Sequence, residues 1–290
     1  MPTRTSTPTD RTVPGDGVSL HARDWGGEGA PLVLLHGLAS NARIWDGVAR
    51  HLAGAGLRVL ALDQRGHGES EQPAAGYDFA TVCRDLEAAL HALGVRRPTL
   101  AGHSWGANVA LQFAAERAGA VAGLVLVDGG FLGVADWPGM TRELARQRLA
   151  PPRFAVPLED WLARAGRFTS AAGRDDDWVR DFLRAGVDVD GQGVARSRFR
   201  FDNHMQVVDA LYDQRPAALY PLVGCPVLLC PAAEDELAAA KQDAVDRALR
   251  LLPDARAVWF QDTMHDIPLQ RPAELAAELA SFAKEAANRG

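Results

Sequence analysis

Cysteine is scarce in this 290-residue chain: there are three, an odd number. Cys83 falls in a helical pattern, and Cys225 and Cys230 flank one apolar strand whose extended backbone holds them apart. That excludes a disulfide framework and leaves no zinc spacing, which suits a reducing cytoplasm. Positive charge is not in excess. The formal net charge is −6, so nothing draws the chain broadly to nucleic acid or to an anionic membrane. No apolar run approaches the roughly 20 residues a bilayer-crossing helix needs. Residues 1–10 are polar without an apolar centre, and read as a loose tail, not a signal peptide. Internal repeats and low-complexity tracts are missing as well. The length then allows one large α/β domain, or such a core with an insertion.

What is present begins with strand patterns. Residues 18–25 alternate with a two-residue period, as a half-exposed strand does. Residues 31–35 are a continuous apolar run, the signature of a strand buried on both faces, and 57–62, 124–128 and 226–230 read as further buried strands, interrupted only by Arg58 and closed by Asp128. Residues 255–260 read as a last strand. Helical patterns fall between them: Ile44, Trp45, Val48 and Leu52 share one side, residues 79–93 end at Gly94, and residues 237–251 follow the 226–230 run. The final helix, 272–287, aligns Leu275, Leu279 and Phe282 on a stripe. Alternation of this kind argues for a mostly parallel sheet with helices on both faces. The rhythm stops after Gly129-Gly130. From Phe131 to about Tyr220 no buried strand stands out, only helical fragments rich in arginine and carrying Trp137, Trp161, Trp178, Phe154, Phe168 and Phe182. Asp175-Asp176-Asp177 reads as a solvated turn or helix start. A helical insertion over the sheet is the simplest account, with most of these aromatics packing it onto the core.

The chemistry concentrates at Gly102-His103-Ser104-Trp105-Gly106. Apolar residues run into it and an alanine-rich helical pattern follows at once, which is the setting a nucleophile elbow requires. A strand that turns sharply into a helix crowds the central residue, so glycine is needed on both flanks. Ser104 would stand at the positive end of a helix, where developing negative charge is favoured.

A serine hydroxyl is a weak nucleophile at neutral pH and needs a base, an orienting acid and oxyanion donors. Eight histidines compete for the base. His21, His51 and His91 fall on a strand or helices, and His36, His67 and His103 fit loop-tying roles in glycine-bracketed turns. His204, in the insertion, could line a pocket. His265 lies in a loop at the carboxyl end of the last strand, the edge where open parallel sheets bind ligands, and is the base chosen. For the acid, the order Ser…Asp…His and a loop past Cys230 favour Asp235, beside Glu234 and Glu236. Asp128, flush with its strand end, is the alternative and fits a loop anchor better. The backbone amides of Trp105 and Leu38 are the expected oxyanion donors. Trp45 and Phe131, just past site-forming loops, are expected pocket walls.

In these residues the chain resembles the α/β-hydrolase fold superfamily, of the kind with a helical cap. The carriers are His36-Gly37, Asp63-x-Arg65-Gly66-His67-Gly68-x-Ser70, the Ser104 elbow, the Asp235 loop and His265. The resemblance spans residue 15 to the end except the cap, where nothing is diagnostic. It implies a mostly parallel eight-stranded sheet with a helical cap, residues 131–220, inserted after the sixth strand into a core of 1–130 and 221–290. It also implies a Ser–His–Asp triad, no metal and no organic cofactor, and a structural loop in residues 63–70. Epoxide hydrolases have a similar elbow but place aspartate at its centre, so epoxide opening and dehalogenation are disfavoured. The His36-Gly37-Leu38-Ala39 stretch also lacks their usual proline. Prolyl aminopeptidases share only the Ser-Trp-Gly part, and meta-cleavage hydrolases carry tryptophan after the histidine where Asp266 stands here. The expectation is a serine esterase or lactonase acting on a small molecule with an apolar part. Cleavage of a carbon–carbon or amide bond, or slow-turnover ligand binding, is the alternative. Arginines and acids in the cap roughly balance, so no charged-substrate preference is read. Substrate identity and oligomeric state are not legible.

Overall fold

The computed structural model describes residues 7–168, 177–234 and 236–289. In chain order the first half runs β1 (Thr9–Pro14), β2 (Ser19–Gly26), β3 (Ala30–Leu35), α1 (Asp46–Leu52), β4 (Leu57–Asp63), α2 (Phe79–Ala92), β5 (Thr99–His103), α3 (Trp105–Glu116) and β6 (Gly123–Val127). The middle adds α4 (Arg142–Arg148), β7 (Val156–Pro157), α5 (Leu158–Phe168), α6 (Asp177–Ala185), β8 (Val187–Val189), β9 (Val194–Ser197), α7 (Phe201–Asp213) and α8 (Pro216–Leu219). The chain closes with β10 (Val227–Cys230), α9 (Ala238–Leu251), β11 (Ala255–Ala257), α10 (Ile267–Gln270) and α11 (Pro272–Asn288).

The main sheet has eight strands in the order β1-β2-β4-β3-β5-β6-β10-β11. Pairings from β4 onward are parallel, whereas β1–β2 and β2–β4 are antiparallel. The continuous apolar runs become central strands because each is covered twice. Val33 and Leu35 of β3 enter one hydrophobic cluster, and Leu32 and Leu34 enter a second on the other face. β6 divides the same way, with Leu124 and Leu126 on one side and Val125 and Val127 on the other. Side chains alternate across a strand, so a run with no polar position demands apolar partners above and below. Leu86, Val109 and Val245 of α2, α3 and α9 supply them on one face, and Val48, Leu275, Leu279 and Phe282 of α1 and α11 on the other. Each fully buried Leu or Val contributes about 1.5–3 kcal/mol over an exposed one.

Three elements differ from the sequence pattern. Of the expected tail, residues 1–6 lie outside the described residues, while Thr9–Pro14 pairs with β2 as an antiparallel edge strand. Polar side chains suit it, since most of this edge is exposed. β11 stops at Ala257, and Phe260 then bridges to Ala232. The insertion between β6 and β10 is not purely helical: β7, β9 and β8 form a small antiparallel sheet. Strands of two to four residues are too short to show a period, which is why the sequence hides them. Asp177 opens α6, and Asp175 and Asp176 lie outside the described residues. Among the described residues no helix is long and apolar enough to cross a membrane.

Candidate active site

β5 ends at His103 and α3 begins at Trp105, leaving Ser104 alone on the bend with φ 54° and ψ −122°. A non-glycine residue at such angles costs about 1–3 kcal/mol and persists only where its surroundings dictate it. Here they do. The Ser104 amide donates to the Val127 carbonyl at 2.9 Å, and its own carbonyl accepts from Ala107 at 2.9 Å. A Cβ on Gly102 would stand 2.2 Å from the Gly106 carbonyl oxygen, and one on Gly106 2.4 Å from that of Leu35. No substituent fits at either place, so the strand and helix meet only through bare backbone. Gly129 approaches from β6 in the same manner, its hypothetical Cβ lying 2.3 Å from the Ser104 carbonyl oxygen. Gly129→Ala is therefore expected to cost about 3 kcal/mol or more, because backbone must move to admit the methyl. Gly191→Ala, which meets nothing within 4 Å, should stay within about 0.5 kcal/mol. Urea midpoints of the two variants make the comparison.

The His265 imidazole reaches the same edge of the sheet. Its Nδ1–H donates to Asp128 Oδ2 at 2.7 Å, which leaves Nε2 with the ring's lone pair. The loop carrying it is tied to the elbow by His103, whose Nε2–H donates to the His265 carbonyl at 2.9 Å. Asp128 follows β6 directly, at φ 43°. It accepts from the Ala232 amide at 2.9 Å and from Lys241 Nζ at 2.8 and 2.7 Å. The carboxylate that holds His265 is Asp128, the alternative acid of the sequence analysis; the expected Asp235 lies outside the described residues. Asp128 anchors a loop too, through Ala232, but that contact uses Oδ1 and leaves Oδ2 for the ring.

The electrostatics follow from these contacts. Burial disfavours the Asp128 anion, but the hydrogen bond and charge of His265 and those of Lys241 outweigh it and hold its pKa at about 2. The His265 side chain is half exposed, and the desolvation it does feel is outweighed by the hydrogen bond and charge of Asp128, with Asp266, which lift its pKa above the usual 6.5 against the opposing charge of Lys241. His103 is pushed down to about 4 by burial and by its neighbour His265, so it stands neutral at physiological pH.

Ser104 and His265 open on one cavity of about 740 Å³, within the range that takes a small molecule. Leu38, Ala39 and Trp105 line its floor, and no hydrogen bond among the described residues engages the amides of Leu38 or Trp105. The Ala39 amide is already spent on His67 Nε2 at 3.3 Å. The 63–70 loop braces this floor. Asp63 accepts from the Ala42 amide at 2.6 Å, and Gln64 donates to the His36 carbonyl at 2.7 Å. Phe131 and His204 line the cavity as well. His204 Nε2–H donates to the Leu149 carbonyl at 2.7 Å, so this ring holds part of the roof in place. Trp45 does not line it, a correction to the expectation. Its side chain is fully buried on the other face of the sheet, with Val48 and Trp178. Sequence reading missed Trp137, Leu149 and Leu211 of the insertion as cavity walls. Among the described residues no group of three or more His, Cys, Asp or Glu is arranged to hold a metal ion.

Residues 30–156 match the family model described as the alpha/beta hydrolase fold. The chain is 40% identical over 114 residues to a non-heme chloroperoxidase of Streptomyces lividans, covering 39% of this chain and 41% of that one. It is 42% identical over 123 residues to epoxide hydrolase A of Mycobacterium tuberculosis, covering 40% of this chain and 38% of that one. The chain thus spans about two fifths of the length of these curated relatives. A solved structure of E-2-(acetamidomethylene)succinate hydrolase superposes with a TM-score of 0.79 over 96% of this chain and 99% of that one, at 22% identity.

Proposed function

Because this chain belongs to the α/β-hydrolase fold superfamily, we propose that it is a serine hydrolase that cleaves a carboxylic ester or lactone through an acyl-enzyme on Ser104. The observation that carries the reading is a serine on the strained bend, opening on the same cavity as a His265–Asp128 pair. His265 Nε2 takes the Ser104 proton as Oγ bonds to the carbonyl carbon, and the carbonyl π pair moves onto oxygen. The amides of Leu38 and Trp105 receive that oxyanion, each such donor being worth about 10²–10³ in rate. Collapse breaks the bond to the leaving oxygen, which takes the proton from His265, and water then repeats the sequence to free the acid and regenerate Ser104. Asp128 orients the ring and stabilises the imidazolium without taking its proton. Residues 131–220 act as the cap, and their apolar cavity walls favour a substrate with an apolar part.

The serine also speaks against the activity of the epoxide hydrolase relative, since epoxide opening by this type of site uses a carboxylate nucleophile that position 104 lacks. The solved neighbour's name includes an acetamido group, which keeps amide hydrolysis as the second reading.

A short p-nitrophenyl ester tests the proposal. The expected result is a burst of about one equivalent followed by steady turnover, with kcat/KM lost as pH falls. The sign follows from the base: only neutral His265 accepts the proton, and its pKa is raised, so the acid limb has its midpoint above pH 6.5. One stoichiometric burst with no turnover would instead mark a ligand-binding member, and no release at all would remove the serine from the chemistry.

A further inference from the structure

We propose that Lys241 is a positioning residue for the Ser104 chemistry: its ammonium, laid across both oxygens of Asp128, sets how strongly that carboxylate holds the His265 imidazole. The inference rests on the serine-hydrolase reading and adds to it a fourth side chain. Lys241 comes from the first turn of α9, with its side chain 6% exposed against 0% for Asp128. Nζ lies 2.8 Å from Oδ1 and 2.7 Å from Oδ2, and Oδ2 is also the oxygen that accepts from His265 at 2.7 Å. One buried carboxylate oxygen thus serves two potential cations, the buried Lys241 and the half-exposed His265.

The residue type is itself unusual for this chain. Of its 31 basic side chains two are lysine, Lys241 and Lys284. Arginine meets the buried carboxylates of Asp24, Asp46 and Asp85, as where Arg65 grips Asp85 at 2.7 and 2.8 Å, and His21 meets that of Asp63. A guanidinium is broader and would compete with the imidazole for space around Oδ2, whereas an ammonium is a compact point charge.

The consequence is electrostatic and geometric. The hydrogen bonds to both oxygens fix the carboxylate's rotation, keeping Oδ2 on the ring. The positive charge offsets part of the attraction that Asp128 exerts on an imidazolium. Among the described residues four groups face His265. Asp128 and Asp266 favour its charged form, Lys241 opposes it, and His103 is neutral near pH 7. Lys241 therefore keeps His265 a free base to lower pH than Asp128 alone would permit. A residue that only neutralised a buried acid for stability would not have to share the oxygen the ring uses.

Two neutral variants of the full chain test this. Lys241→Met removes the charge at similar length, and Lys241→Gln also keeps a donor to satisfy Asp128 if methionine fails to fold. The first readout needs no substrate: the His265 ring is titrated by NMR, identified by its loss in His265→Gln. The midpoint is expected to rise by about one pH unit in either variant, as removal of a nearby like charge allows. The acid limb of kcat/KM on p-nitrophenyl butyrate should move with it, a loss of about tenfold at pH 6 that largely recovers by pH 9. Lys241→Arg restores the charge but crowds Oδ2, so the midpoint should return toward the wild-type value while kcat stays reduced. A midpoint that stays at the wild-type value in folded Met or Gln protein overturns the proposal. A wild-type chain that never turns over an ester, while the midpoint still moves, would sink the hydrolase reading and leave the Lys241–His265 coupling standing.

Discussion

Ser104→Ala is expected to lower kcat on a p-nitrophenyl ester by about 10⁴- to 10⁶-fold, the range seen when the nucleophile of a triad is removed. The fold should not suffer. The bend at φ 54° is imposed by backbone closing on backbone at Gly102, Gly106 and Gly129, not by the serine hydroxyl. Alanine meets the same strain as serine there, so the thermal midpoint should move by no more than a few degrees. Rate and midpoint measured on one preparation separate loss of chemistry from loss of structure. A variant that retained the full rate would show that the hydroxyl takes no part.

Asp128→Asn should cost about 10⁴-fold in kcat, since an amide cannot hold His265 in the tautomer that leaves Nε2 free. It also takes the Asp128 charge away from the buried Lys241 ammonium, and breaking such a pair by removing one partner destabilises by about 3–5 kcal/mol. The rate must therefore be taken at a temperature where circular dichroism reports folded protein. Asp235→Asn is the control, expected to change kcat less than tenfold. Equal and large losses in both variants, or the larger loss at Asp235, would overturn the assignment of Asp128 as the orienting acid.

The choice between these two acids marks where the sequence ceased to be sufficient. The order Ser…Asp…His holds for either, and loop position favoured Asp235 because an acid flush with a strand end looks like an anchor. One further step was available. The elbow strand, its helix and the next apolar run form a right-handed crossover, which commonly lays the third element beside the first. β6 does lie beside β5, and that adjacency carries the Asp128 backbone to the Ser104 bend. What stayed hidden was the side-chain aim, set by a φ of 43° at Asp128 that no residue type announces. The buried strands, the elbow and α11 were plain because each rests on an uninterrupted run or a periodic stripe. Trp45 misled for a related reason: its place just past the His36 loop is near the site along the chain, but its helical face turns toward Val48 beneath the sheet. In the insertion, short strands and scattered aromatics carry no period, and only packing tells Trp137, on the cavity, from Phe154, which stacks on Trp161 with ring centroids 4.1 Å apart.

The roof and the reacting groups come from separate stretches of chain. Ser104, Asp128, Lys241 and His265, with the amides of Leu38 and Trp105, all lie outside the 131–220 segment that supplies Trp137, Leu149 and Leu211. Ties between the two include Asn108 to Gln214 at 2.6 Å, Tyr77 to Asn203 at 2.7 Å and Asn41 to the Phe182 carbonyl at 3.1 Å. Selectivity is thus open to redesign as an exchangeable module: a foreign segment grafted onto those anchor points would alter which molecules are admitted while the bond-breaking apparatus stayed as it is.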